Sequence, residues 1–75
     1  MRAEEELLSA AKRYLKRKYL ETTVSMDVIE NTVVNGDGQL RVRCTVKSLG
    51  LLKSDWIKTF DFKRGKIVTM HAKRI

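Results

Sequence analysis

Hydrophobic residues in this chain recur every three or four positions as far as Tyr19 and every second position from Thr22 onward. The first pattern belongs to a helix with one buried stripe, the second to strands with one buried face. From Ala3 to about Tyr19 there is no Gly, Pro or β-branched residue, and Leu7, Leu8, Ala11, Tyr14, Leu15 and Tyr19 form the stripe. Glu4, Glu5 and Glu6 occupy the first turns and Lys16, Arg17 and Lys18 the last, which complements the helix dipole. After it, Val-, Ile- and Thr-rich alternation predicts four strands, at about 22–34, 39–48, 54–62 and 66–73. Gly36-Asp37-Gly38 and Lys63-Arg64-Gly65 read as three-residue hairpin loops with a closing glycine at positive φ. The middle connection, Leu49 to Lys53, is longer and apolar, suited to folding back on the helix or meeting a partner. The expected fold class is α+β: one N-terminal helix packed on a four-stranded antiparallel meander sheet, in the order α-β-β-β-β. At 75 residues the chain makes a single domain, 1–75, with a thin core.

Facing residues on neighbouring strands should be compatible, and this selects a register. Setting Asn35 opposite Gln39 and Phe62 opposite Lys66, with a five-residue middle loop, places Leu40 by Phe62, Val42 by Phe60 and Val46 by Trp56. It also creates cross-strand ion pairs Arg41–Asp61 and Lys47–Asp55. The helix then covers Val24, Met26, Val28, Val34, Leu40, Val42, Cys44, Val46, Trp56, Phe60, Phe62, Val68, Met70 and Ala72. The opposite face carries Ile29, Val33, Arg41, Arg43, Thr45, Lys47, Ile57, Thr59, Ile67, His71 and Lys73.

No combination of residues commits the chain to catalysis. The same register lines up Glu30, Cys44, Lys58 and Met70 across the covered face, where a carboxylate and an ammonium are costly unless paired or solvated. Glu30, Cys44 and Lys58 therefore define a candidate pocket, with the alternative that the side chains reach water or that a bulge in the first strand turns Glu30 outward. Cys44 reads as an inert core thiol, since His71 falls on the other face and supplies no base. One Cys and one His supply neither a disulfide nor the ligands of a zinc site, so no metal or cofactor is expected. No apolar run approaches the roughly 20 residues of a membrane span, and Glu4, Glu5 and Glu6 interrupt any leader-like succession, so a cytoplasmic, non-membrane protein is expected.

The net charge of +7 is unevenly spread. Residues 1–20 contain six basic and three acidic side chains, 21–38 four acidic and none basic, and 39–75 ten basic and two acidic. Arg13 and Arg17 on the helix, Arg41, Arg43, Lys47 and Lys73 on the open sheet face, and Lys63 and Arg64 at one hairpin are candidate phosphate contacts. Trp56, Phe60 and Phe62 alternate as core residues, leaving no aromatic platform for stacked bases. Ile29, Val33, Ile57 and Ile67 make the open face more apolar than solvation requires, which suggests a two-fold homodimer face or a protein partner.

A helix followed by a four-stranded meander resembles the cystatin-like and nuclear-transport-factor-like class of folds. Thr32-Val33-Val34-Asn35-Gly36 is similar to the Gln-Val-Val-Ala-Gly hairpin with which cystatins inhibit cysteine proteases. Thr32 replaces the glutamine, Asn35 the alanine, and the chain has no proline for the second inhibitory loop, which argues against protease inhibition. Two functions are carried forward. The first is a small basic, non-enzymatic binding module for nucleic acid or another polyanion. The second is a dimeric interaction or small-ligand domain of cystatin-like fold.

Overall fold

The computed structural model describes residues 2–48 and 52–75. Helix α1 (Arg2–Tyr19) is followed by β1 (Glu21–Asn31), β2 (Gly38–Ser48), β3 (Leu52–Lys63) and β4 (Lys66–Arg74). The strands form one antiparallel sheet in the order β1-β2-β3-β4, so the α-β-β-β-β arrangement expected from the two hydrophobic periods is the observed one. Among the described residues no helix is long and apolar enough to cross a membrane.

The core is a single layer between helix and sheet. Ala11 and Leu15 of α1 are fully buried against Leu40, Val42, Cys44 and Val46 of β2 and Phe60 and Phe62 of β3. Tyr14 stands edge-on to Phe60, with ring centroids 6.2 Å apart. α1 ends because Leu20 adopts a left-handed conformation (φ 57°), its N–H still donating to the Lys16 carbonyl at 3.2 Å.

Both hairpins turn more tightly than three-residue loops. Val34 and Asp37 form an isolated bridge around Asn35-Gly36, and Lys63 pairs with Lys66 around Arg64-Gly65. All four loop residues have positive φ, the geometry that matches strand twist in a two-residue turn. The two tips also touch. Gly65 N–H donates to the Gly36 carbonyl at 2.9 Å, and Arg64 N–H to Asp37 Oδ1 at 2.8 Å. A Cβ on Gly36 would lie 2.6 Å from the Gly65 nitrogen, so the contact requires glycine there.

The two-residue turns replace the expected pairings of Asn35 with Gln39 and Phe62 with Lys66 by Val34 with Asp37 and Lys63 with Lys66, and the register differs from the expected one in two further ways. Ser48 pairs with Leu52, which leaves three residues between β2 and β3 instead of five and slides the pairing by two positions. Leu40 thus faces Phe60, Val42 faces Lys58 and Cys44 faces Trp56. A two-residue slide keeps every side chain on its face but changes its partners. Residues 49–51 lie outside the described residues, and with them the suggestion that this connection folds back on the helix.

The second difference is three bulges. Val24 and Ile29 are extra residues in β1 and Val68 is one in β4. Each reverses the alternation beyond it. In β1, Glu30 turns outward and Val33 packs against the core, while Val34 is exposed. In β4, Ile67 and Met70, three positions apart, both reach the core, and Val68 is left 56% exposed. Val24 is likewise half-exposed instead of covered.

Candidate functional site

The proposed row of Glu30, Cys44, Lys58 and Met70 does not form. Glu30 is paired in register with Arg41 on the open face, and its carboxylate lies 3.5 Å from the Arg41 guanidinium. Had β1 continued without the Ile29 bulge, this carboxylate would lie beneath the helix, away from water. Cys44 sits between Met26 and Trp56, Lys58 between Val42 and Ala72, and Met70 beside Phe60.

Lys58 is nonetheless unusual, because it is only 2% exposed. Its ammonium meets Glu21 Oε1 at 3.1 Å and lies over the Trp56 ring, 4.9 Å from the centroid, with Tyr19 at 5.8 Å. The carboxylate supplies the countercharge and the rings a second electrostatic partner. Glu21 escaped the reading of the sequence, although an internal lysine demands a nearby carboxylate and Glu21 is the first acidic residue after the helix. The arrangement ties the end of α1 to the sheet and keeps the ammonium away from solvent. Burial pushes the Cys44 thiol up, against the smaller opposing pull of Lys58, so the thiol stays protonated and unreactive. Among the described residues no group of three His, Cys, Asp or Glu side chains is placed to hold a metal.

The candidate phosphate contacts fall into two sets on opposite sides of the sheet. Arg41, Arg43, Lys47 and Lys73 occupy the open face, joined by Lys53, but four carboxylates share it. Glu30 pairs with Arg41, and Asp27 stands across from Arg43. Asp55 accepts a hydrogen bond from Thr45, and Asp61 accepts from Gln39 at 2.7 Å and from Thr69. Those hydroxyl and amide donors hold the Asp61 carboxyl below its usual range, helped by His71 at 3.7 Å. Across the middle of this face the charges therefore nearly balance, and Lys63, next to the inward-facing Phe62, adds a cation at its hairpin end.

The second set is different. A furrow runs along one flank of α1, over the hairpin tips and the start of β4. Its basic stretch is lined by Arg13, Tyr14, Arg17, Lys18, Gly65, Lys66 and Ile67. Helical spacing stacks Arg13 above Arg17, one turn apart. The hairpin that contributes Gly65 and Lys66 also carries Lys63 and Arg64, both exposed. Among the described residues none of Arg13, Arg17, Lys18, Lys63, Arg64 or Lys66 belongs to an ion pair. The Arg64 main chain is fixed by its bond to Asp37, so the basic tip is held rigidly. At the opposite end, near the start of α1, Glu5 and Glu6 join Ser9 and Arg13 in the lining, so the acidic side chains are confined to that end.

The apolar face expected to bury a partner is also divided. Ile29, half-exposed, and Ile57 remain on the open face, where with Arg41, Thr59, His71, Ala72 and Lys73 they line a shallow depression. Val33 and Ile67 pack towards the core instead, because the bulges at Ile29 and Val68 reverse the alternation. No family model, curated protein or solved structure matches the chain.

Proposed function

We propose that the chain is a non-enzymatic module that binds a polyanion, nucleic acid first among them, by laying a phosphate backbone along the furrow between α1 and the β3–β4 hairpin. The observation that carries this reading is the convergence of Arg13, Arg17 and Lys18 from the helix with Lys66 at the start of β4, none of which belongs to an ion pair among the described residues. Arg41, Arg43, Lys47 and Lys73 are interleaved with carboxylates and contribute less. Contacts of this kind recognise phosphate without reading base sequence.

Fluorescence anisotropy against duplex DNA, duplex RNA and single strands, repeated at several salt concentrations, tests the reading. Each phosphate engaged contributes a log-log salt slope of about one. The double variant Arg13→Glu/Arg17→Glu should lower that slope by about two, whereas Arg41→Glu/Arg43→Glu should change it little. Absence of binding at 50 mM salt, or equal effects of the two variants, rules the proposal out.

The resemblance to cystatin-like folds supports a second reading, a dimer built through the open face around Ile29 and Ile57. Only two of the four expected apolar residues support it. Light scattering at high protein concentration decides it, since a strict monomer excludes a back-to-back pair.

A further inference from the structure

Among the described residues the sheet has two free edges, and they are unlike. β1 is interrupted by bulges at Val24 and Ile29, so its longest regular run is Ser25–Val28. β4 runs without interruption from Thr69 to Arg74. Ile75 N–H donates to the Asp55 carbonyl at 3.0 Å, which sets the phase of the ladder. By antiparallel alternation Thr69, His71 and Lys73 direct their main-chain groups towards β3, and Met70, Ala72 and Arg74 direct theirs off the edge. Three N–H and three C=O groups in a regular row are a template for another strand. β4 also carries Lys66, Lys73 and Arg74 and no carboxylate.

We propose that β4 is a docking edge for an extended acidic segment of another protein, which adds to the sheet as a fifth strand. Main-chain pairing to Met70, Ala72 and Arg74 supplies the affinity, and carboxylates on the open-face side of the added strand, beside Lys73, supply the preference, since Arg74 faces the other way over the Trp56 ring. A second copy of this chain is a poorer occupant. Pairing β4 with its own copy about Ala72 sets Lys73 across from His71 and brings four cations, Lys73 and Arg74 from each chain, into a ladder free of carboxylates. Pairing β4 with β1 of a second copy meets both bulges, a known defence of edge strands.

The test is a titration of the full chain with a labelled eight-residue peptide of alternating Glu and Val, with the Lys-Val peptide as its control. Saturable binding of the acidic peptide, at least tenfold tighter than the basic one, is expected, with new amide-exchange protection at Met70, Ala72 and Arg74. Ala72→Pro removes an N–H that β3 does not use, so it should abolish binding while leaving the circular dichroism unchanged. If that variant does not fold, a peptide N-methylated at alternate residues keeps the charge but cannot complete the ladder, and it should fail to bind. Arg13→Glu/Arg17→Glu should bind the peptide like the parent, which separates this edge from the furrow. No saturable binding at 50 mM salt, equal binding of both peptides, or retained binding by the N-methylated peptide or by folded Ala72→Pro overturns the proposal. So does a dimer that Ala72→Pro dissociates, because the edge would then belong to a second copy.

Discussion

Lys58 shows how one residue can be read on the correct face and still be misjudged. Alternation along β3 puts it beneath the helix, and its aliphatic stem could have carried the charge out to water. Instead the ammonium stays inside and binds Glu21 between two aromatic rings. Removing one member of such a pair leaves the other charged and desolvated. Glu21→Ala should therefore cost about 2–4 kcal/mol by urea denaturation, whereas the double change Glu21→Gln/Lys58→Met should lie much closer to the parent. Asp61 gives a prediction in pH. Its carboxyl is depressed in the folded state, so its contribution is present above the ordinary carboxylate range and is lost as pH falls through the folded value. Stability curves for the parent and Asp61→Asn, measured from neutral pH downwards, should converge on the acid side, and a constant difference would exclude this role.

At the level of elements, α1 and the four strands were legible because the two periods, the glycines and the absence of proline agree. Pairing partners were less so. The slide of β2 against β3 depended on the length of one connection, and the ion pairs Arg41–Asp61 and Lys47–Asp55 were lost with it. Only the bulge at Ile29 left a mark, the carboxylate of Glu30 on an otherwise apolar face, which offered an outward turn there as one alternative; those at Val24 and Val68 left none. Each follows from a tertiary requirement, such as bringing both Ile67 and Met70 inward, that local sequence does not announce. The tip contact was equally invisible, since it joins turns that only the completed sheet brings together. It makes the two turn glycines unequal. Gly36→Ala drives a Cβ to within 2.6 Å of the Gly65 nitrogen, while a Cβ on Gly65 meets nothing within 4 Å. Both substitutions carry the strain of positive φ, about 1–2 kcal/mol, but Gly36→Ala should be clearly the more destabilising in thermal melts and should release the protection of the Gly65 amide.

For the molecule as a whole, composition revealed the surplus of positive charge but not its division. Cations that looked like one set are separated by the thickness of the sheet, and the acidic residues of β1 neutralise those on the open face. That left the furrow as the candidate site, of which the cations Arg13, Arg17, Lys18 and Lys66 were legible in the sequence as members of its basic clusters. Tyr14 and Ile67 join it only because the helix crosses beside β4. The principal extents are 36 × 22 × 21 Å, while the Debye length falls from roughly 30 Å at 0.01 M salt to about 8 Å at 0.15 M. Net self-repulsion is thus felt across the entire molecule at low salt and is screened at the higher value. The urea midpoint should rise between those two concentrations of sodium chloride, and a fall would mean that favourable surface pairs outweigh the repulsion.

The three bulges bear on how the chain tolerates lost residues. Deleting one residue from a regular strand sends everything beyond it to the wrong side. Deleting Val24, Ile29 or Val68 does not, for Thr23 still faces inward and Ser25 outward, Val28 inward and Glu30 outward, Ile67 inward and Thr69 outward. At these positions the gene can shorten by one codon and the inner and outer identities of the remaining side chains survive.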